Sequence, residues 1–162
     1  MKDVFGLKKG LAPVYSPACT RLILGSFPSV LSRGNFYYGN PRNRFWSMLS
    51  EVYREDIPKD KEGRGKFLLD RGIAVWDMVA ECEIAGSADS SLKNLTDKNI
   101  NDIPGLLEGG RVEKILCNGG KSYALYKKYF AKALNMPYLL MPSTSPANFK
   151  FNLDVWKNAL LL

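Results

Sequence analysis

The chain has 162 residues, 46% of them apolar, and carries 23 Lys and Arg against 16 Asp and Glu, a formal charge of +7. That length suits one domain, 1–162, with a real hydrophobic core, and the composition excludes a disordered chain. No apolar run approaches the roughly 20 residues that span a bilayer, and "MKDVFGLKKGLAPVY" lacks the continuous apolar stretch of a signal peptide, so the expected location is cytoplasmic.

In chain order, the first strand is "RLILG" (21–25), which runs through a glycine turn into a long loop crowded with aromatics and asparagines. Helical patterns follow near 42–54 and 61–70, then a second strand, "GIAVWD" (72–77), and a helix near 97–108. A third strand, "EKILCN" (113–118), leads to a helix near 120–135; a fourth, "PYLLM" (137–141), precedes a last helix near 149–161. The four strands are continuous apolar runs rather than alternating ones, as in strands covered on both faces. Alternating strands and helices predict an α/β domain with a parallel sheet between helical layers. Ligands of such folds bind at the carboxyl ends of the strands. The loops there are "GSFPS…YYGNPRN", "WDMVAECEIAGSADSSLKN", "CNGGKS" and "MPSTSPANF".

Chemistry is bounded first by an absence: the chain has no histidine. A Ser-His-Asp triad and Cys-His chemistry are therefore excluded. A Ser-Lys pair on Ser143 or Ser145 lacks the SxxK spacing. Cys19, Cys82 and Cys117 are widely spread, show no CxxC spacing and read as packed thiols, so no metal centre is expected. The charge excess favours a polyanionic partner such as nucleic acid.

Several loop residues admit two readings. "CNGGKS" (117–122) lacks the first glycine of a Walker motif; it is either an anion site at a helix N-terminus or a tight strand-to-helix turn. In "MPSTSPAN" (141–148), Ser143, Thr144 and Ser145 suit a phosphate clamp, with Ala147, Asn148 and Phe149 at the tip as a wedge. Ser145 as a helix N-cap with Pro146 in the first turn explains the same residues. Asp77 either caps a turn or accepts a hydrogen bond from the N–H of a base edge. Phe45, Trp46 and Leu49 have core spacing. Arg42 and Arg44 face phosphates or solvent, and Lys127, Lys128 and Lys132 form a solvated helix face with some non-specific reach to DNA.

Taken together, "LGSFPS" (24–29), "YYGNPRNRFW" (37–46), "WD" (76–77), "CNGGKSY" (117–123) and "PSTSPAN" (142–148) resemble the uracil-DNA glycosylase superfamily, and within it the hypoxanthine-DNA (deoxyinosine) glycosylase branch. The resemblance covers most of the chain. It implies a three-layer α/β/α sandwich with a four-stranded parallel sheet, and a cofactor-free, metal-free monomer. The implied reaction is hydrolysis of the N-glycosidic bond of a deaminated base flipped out of DNA, in base excision repair. A uracil or mismatch glycosylase of the same fold is the near alternative, and a non-catalytic nucleic-acid-binding module the far one.

One departure matters. Many relatives place a catalytic Asp or Asn one residue before the loop proline, where this chain has Phe27. By resemblance to the branch, the role passes to Asn43 of "PRNRFW", with Asn40 as runner-up and Asn118 helping to hold the same water. The implied base-binding residues are Gly25, Ser26, Phe27, Tyr38 and Asp77, with Tyr38 stacking on the base and Asp77 reading its edge. The implied DNA contacts are Arg42, Lys121, Ser143, Thr144, Ser145, Asn148 and Phe149. Met141 stands where the superfamily's leaving-group histidine would be, which favours a purine-like substrate.

Overall fold

In a computed structural model, residues 6–84, 92 and 94–162 of the chain are described. Most of the tip of the predicted loop 76–94, at 85–91 and 93, lies outside them. Two short strands, β1 (Leu7–Lys9) and β4 (Glu81–Glu83), form an antiparallel ribbon. The main sheet joins β2 (Arg21–Gly25), β3 (Ile73–Asp77), β5 (Lys114–Asn118) and β6 (Tyr138–Met141), all parallel, in the order β3-β2-β5-β6. The predicted strands therefore agree with those observed to within one residue at each end.

Their apolar continuity has a direct cause. On β2, Leu22 and Leu24 pack into one core cluster while Ile23 packs into the other, so the sheet has no wet face. One layer holds α3 (Ile103–Leu107), α4 (Gly120–Tyr129) and α5 (Ala131–Leu134), and the opposite layer holds α1 (Phe45–Tyr53), α2 (Lys61–Asp70) and α6 (Leu153–Leu161). The outer edge of β3 is covered by the N-terminal segment, where Val14 and Val75 exchange two backbone hydrogen bonds of 2.9 Å.

Two predicted helices are shorter than expected. The pattern at 97–108 divides into a 3₁₀ turn, Asp97–Asn99, and α3. Between them Ile100 bridges to Val79, and Asn101 bonds Met78 and Asp77, which draws the chain out of helical geometry. Asp102 then caps Gly105, and Pro104 fits the first turn of α3. The pattern at 120–135 breaks at Phe130, where α4 ends and α5 begins. Phe149 to Asn152 stay outside α6, whose N-cap is Asn152.

The register sets the site. Gly25 lies opposite Asp77, Leu24 opposite Cys117, and Asn118 opposite Met141. All four strands thus end level, and their following loops meet at one edge.

Candidate active site

At that edge is a cleft of about 950 Å³, lined from all four strand ends. Its floor is the Gly25–Asp77 pair. A Cβ at Gly25 would stand 3.1 Å from the Tyr38 hydroxyl and closer still to the Asp77 carboxylate, so only glycine leaves room for the three groups to converge. Asp77 is 4% exposed. The turns after β2 and β3 are joined by Met78 N–H to Gly25 O and Val79 N–H to Ser26 O. Phe27 follows on the cleft wall, with the Arg33 guanidinium 5.6 Å from its ring centre.

The aromatic loop divides its two tyrosines by backbone conformation. Tyr37 is buried and donates to Ala12 O at 2.7 Å, which ties the N-terminal segment beneath the cleft. Burial, and secondarily the negative charge of Asp77, pushes the Tyr37 hydroxyl far above the usual phenol range, so it remains a donor. Tyr38 then takes φ 54°, the left-handed region that side chains rarely adopt, and this turns its ring toward the cleft. One face of the ring lies on Phe45, with centroids 4.0 Å apart and planes at 19°.

Asn40 and Asn43 both line the cleft, and both are locally oriented: Asn40 Oδ1 accepts from Arg42 N–H at 3.0 Å and Asn43 Oδ1 from Phe45 N–H at 2.9 Å. These turns occupy 40–44, which is why α1 starts at Phe45 rather than near 42. Each amide oxygen keeps a second lone pair for a water proton.

The serine loop is tied down throughout. Asn118 and Thr144 exchange two hydrogen bonds of 3.0 Å, from Asn118 Nδ2 to the Thr144 hydroxyl and from Thr144 N–H to Asn118 Oδ1. Arg44 donates to the carbonyls of Ser145 and Asn148, and Trp156 to that of Pro142. The Gly119 turn, at φ 97°, lies so close that a Cβ there would stand 3.2 Å from Ser143 Cβ.

Several sequence expectations shift accordingly. Asn118 is engaged as a clamp on the loop. Thr144 lines the cleft but is 1% exposed, with its hydroxyl accepting from Asn118 Nδ2. Arg44 is drawn into the protein by the two carbonyls instead of facing phosphate. Ser145 caps no helix; its hydroxyl accepts from Ala147 N–H in a local turn. Gly120 reaches the cleft but Lys121 does not line it, and Arg42 is exposed without lining it. Ser143, Ser145 and Asn148 line the cleft, and Phe149 stands 92% exposed beyond it. Reasoning from sequence had missed Lys150, which lines the cleft, and the tethering role of Arg44. An Arg directly before "FW" carries no local sign of a loop about a hundred residues later.

Among the described residues, two lining side chains of the cleft bear charge, Asp77 and Lys150. Among the described residues no group of three or more His, Cys, Asp or Glu is placed to hold a metal, and no helix is long and apolar enough to cross a membrane. Cys19, Cys82 and Cys117 are buried and free, and burial pushes the Cys117 thiol up to about 12.

No family model matches the chain. It is 32% identical over 148 residues to a hypoxanthine DNA glycosylase of Methanosarcina acetivorans, covering 90% of this chain and 91% of that one. It is 30% identical over 143 residues to a hypoxanthine DNA glycosylase of Methanosarcina barkeri, covering 87% and 88%. It also superposes on the solution NMR structure of a candidate uracil DNA glycosylase from Methanosarcina acetivorans, with a TM-score of 0.79, 32% identity, and 96% and 97% of the two chains covered.

Proposed function

The chain belongs to the hypoxanthine-DNA glycosylase branch of the uracil-DNA glycosylase superfamily, and from that premise we propose that it releases hypoxanthine from deoxyinosine in DNA by hydrolysis, as a monofunctional enzyme of base excision repair. The observation that carries the reading is the buried Asp77 carboxylate on the floor of a cleft walled by Tyr38 and two oriented asparagines. A carboxylate accepts from the N1–H of hypoxanthine, or the N3–H of uracil. Adenine offers no ring N–H at that edge, only the lone pair of N1, which a carboxylate repels. Tyr38 has one face on Phe45 and stacks on the flipped base with the other.

In the reaction the C1′–N9 bond breaks with its electron pair passing to the base, leaving an oxocarbenium-like sugar. A water oxygen then bonds C1′, and its proton ends on the departing base. Such a late, weakly bonded water needs positioning more than deprotonation, and Asn43 is the amide that supplies it, with Asn40 next in line. No imidazole is required. Asn118 acts through Thr144 by holding the serine loop against the cleft. Ser143 and Ser145 meet the DNA backbone, and Phe149 fills the gap left in the stack. Among the described residues Lys150 is the one lysine on the cleft wall, and a monofunctional enzyme forms no Schiff base with it.

Uracil is the second reading, favoured by the description of the similar solution structure. Labelled duplexes with one hypoxanthine or one uracil opposite each of the four bases, cleaved with alkali, separate the two, with Asn43→Ala as control. Hypoxanthine release lost in the variant supports the proposal; uracil release alone replaces the substrate. Binding without release means a non-catalytic module, and a borohydride-trapped adduct would overturn monofunctional chemistry.

A further inference from the structure

Among the described residues the cleft's lining is nearly neutral, carrying Asp77 against Lys150, whereas the chain as a whole is +7. A polyanion needs cations beside the point of chemistry, since phosphate neutralisation supplies most non-specific affinity. Directly across the Tyr38–Asn43 loop is a second hollow, a groove of about 490 Å³. Tyr38, Asn40 and Asn43 line both, so one loop is the common wall. Among the described residues the groove's charged lining is Lys59, Lys61 and Arg64, with no acidic side chain.

These cations are not equivalent. Arg64 is fixed, with its guanidinium 4.7 Å over the Trp46 ring and Nε donating to Pro58 O at 2.9 Å. Lys59 and Lys61 are exposed and extend the charge outward. The neighbouring Asp60 does not line the groove; its carboxylate accepts from Gly63 N–H at 2.8 Å at the start of α2, and its negative charge favours the charged form of Arg64. Glu62, exposed on the first turn of α2, does not line the groove.

We propose that this groove is a second DNA-binding site, in which Lys59, Lys61 and Arg64 hold backbone phosphates of the DNA whose flipped nucleotide occupies the cleft across the Tyr38–Asn43 wall. The proposal rests on the glycosylase reading and adds to it where the grip lies. Duplex DNA presents a phosphate about every 3.4 Å along each strand, so a strand crossing a wall one loop thick reaches both hollows.

The test is the salt dependence of binding to a hypoxanthine-containing duplex, measured by fluorescence anisotropy between 50 and 200 mM salt. Each phosphate contact contributes about 0.9 to the slope of log Kobs against log salt. Lys59→Gln/Lys61→Gln, at exposed positions, should keep the thermal midpoint and flatten the slope by roughly two. Lys98→Gln/Lys157→Gln removes the same charge at exposed positions that line neither hollow and should leave the slope in place. Equal flattening by both pairs would mean a general charge effect and overturn the proposal, as would an unchanged slope in the groove pair. Repeating the titration on single-stranded lesion DNA assigns the contact: persistence of the groove effect gives the lesion strand, and its restriction to duplex gives the complementary strand. A wild-type protein that releases neither hypoxanthine nor uracil sinks the glycosylase reading, whereas an active wild type with an unaltered groove-pair slope sinks only this inference.

Discussion

The cleft and the groove stand on either side of one loop and share Tyr38, Asn40 and Asn43, yet they are built from opposite materials. The cleft is assembled from four strand ends, with a buried carboxylate, backbone turns and hydroxyls, and little net charge. The groove is assembled from one helix start and an aromatic wall, and its charge is all positive. The difference suits the two tasks proposed for them. Reading a base and stabilising a developing cation call for fixed dipoles and an acceptor in a shielded place. Holding a polyanion calls for several cations gathered at the surface.

The sharpest test of that division is Asn43→Ala, which should lower single-turnover base release by roughly 10²–10³-fold, the scale of one lost stabilising group, while leaving the salt slope of binding unchanged. An equal loss of binding would break the division, since the shared wall would then be part of the grip.

Next in size is Asp77→Asn. Losing a charged acceptor should reduce hypoxanthine release by about 10–100-fold, corresponding to roughly 1.5–3 kcal/mol. Stability should hold or rise, because the buried carboxylate carries a desolvation cost that the amide avoids. Chemical denaturation alongside the rate assay measures both, and a large drop in stability would move Asp77 from base reading to framework.

Asn118→Ala removes both bonds to Thr144 and leaves a buried hydroxyl and N–H unsatisfied. The expected cost is about 2 kcal/mol, seen as a lower urea midpoint. Because the clamp lies on the cleft side, KM for DNA should rise more than kcat falls. Tyr37→Phe is milder, about 1 kcal/mol from the lost bond to Ala12 O, or a few degrees in Tm.

The smallest expected effect is with pH. The chain has no histidine, and the buried Tyr37 hydroxyl is pushed upward, so neither gives the rate a limb near pH 6.5. At high pH the sign is defined: the folded Cys117 thiol titrates near 12, above its unfolded value. The unfolded state therefore loses its proton first, and stability should fall as pH rises from about 9 toward 12. Cys117→Ala should blunt that fall in a pH series of thermal midpoints.

Much of this molecule was legible in one dimension. Strands such as "RLILG" and "EKILCN" are continuous apolar runs because both faces are covered. The ribbon of β1 and β4 was not legible, since "LKK" and "ECE" are three-residue charged stretches with no periodicity to read. Nor was the break of the 97–108 helix, which depends on Ile100 and Asn101 finding partners on the segment after β3.

The sequence by itself determined the parallel α/β architecture, the exclusion of histidine chemistry, and which loops stand at the strand ends. These depend on local pattern and composition, which a chain carries wherever it folds. The tertiary structure alone decided that Gly25, Tyr38 and Asp77 converge, that Asn118 and Arg44 hold the serine loop, and that Lys59, Lys61 and Arg64 gather across the wall from the cleft. A polar side chain does not encode its partner: the same amide or guanidinium serves water, phosphate or a distant carbonyl equally well. Only strand register and packing choose among them.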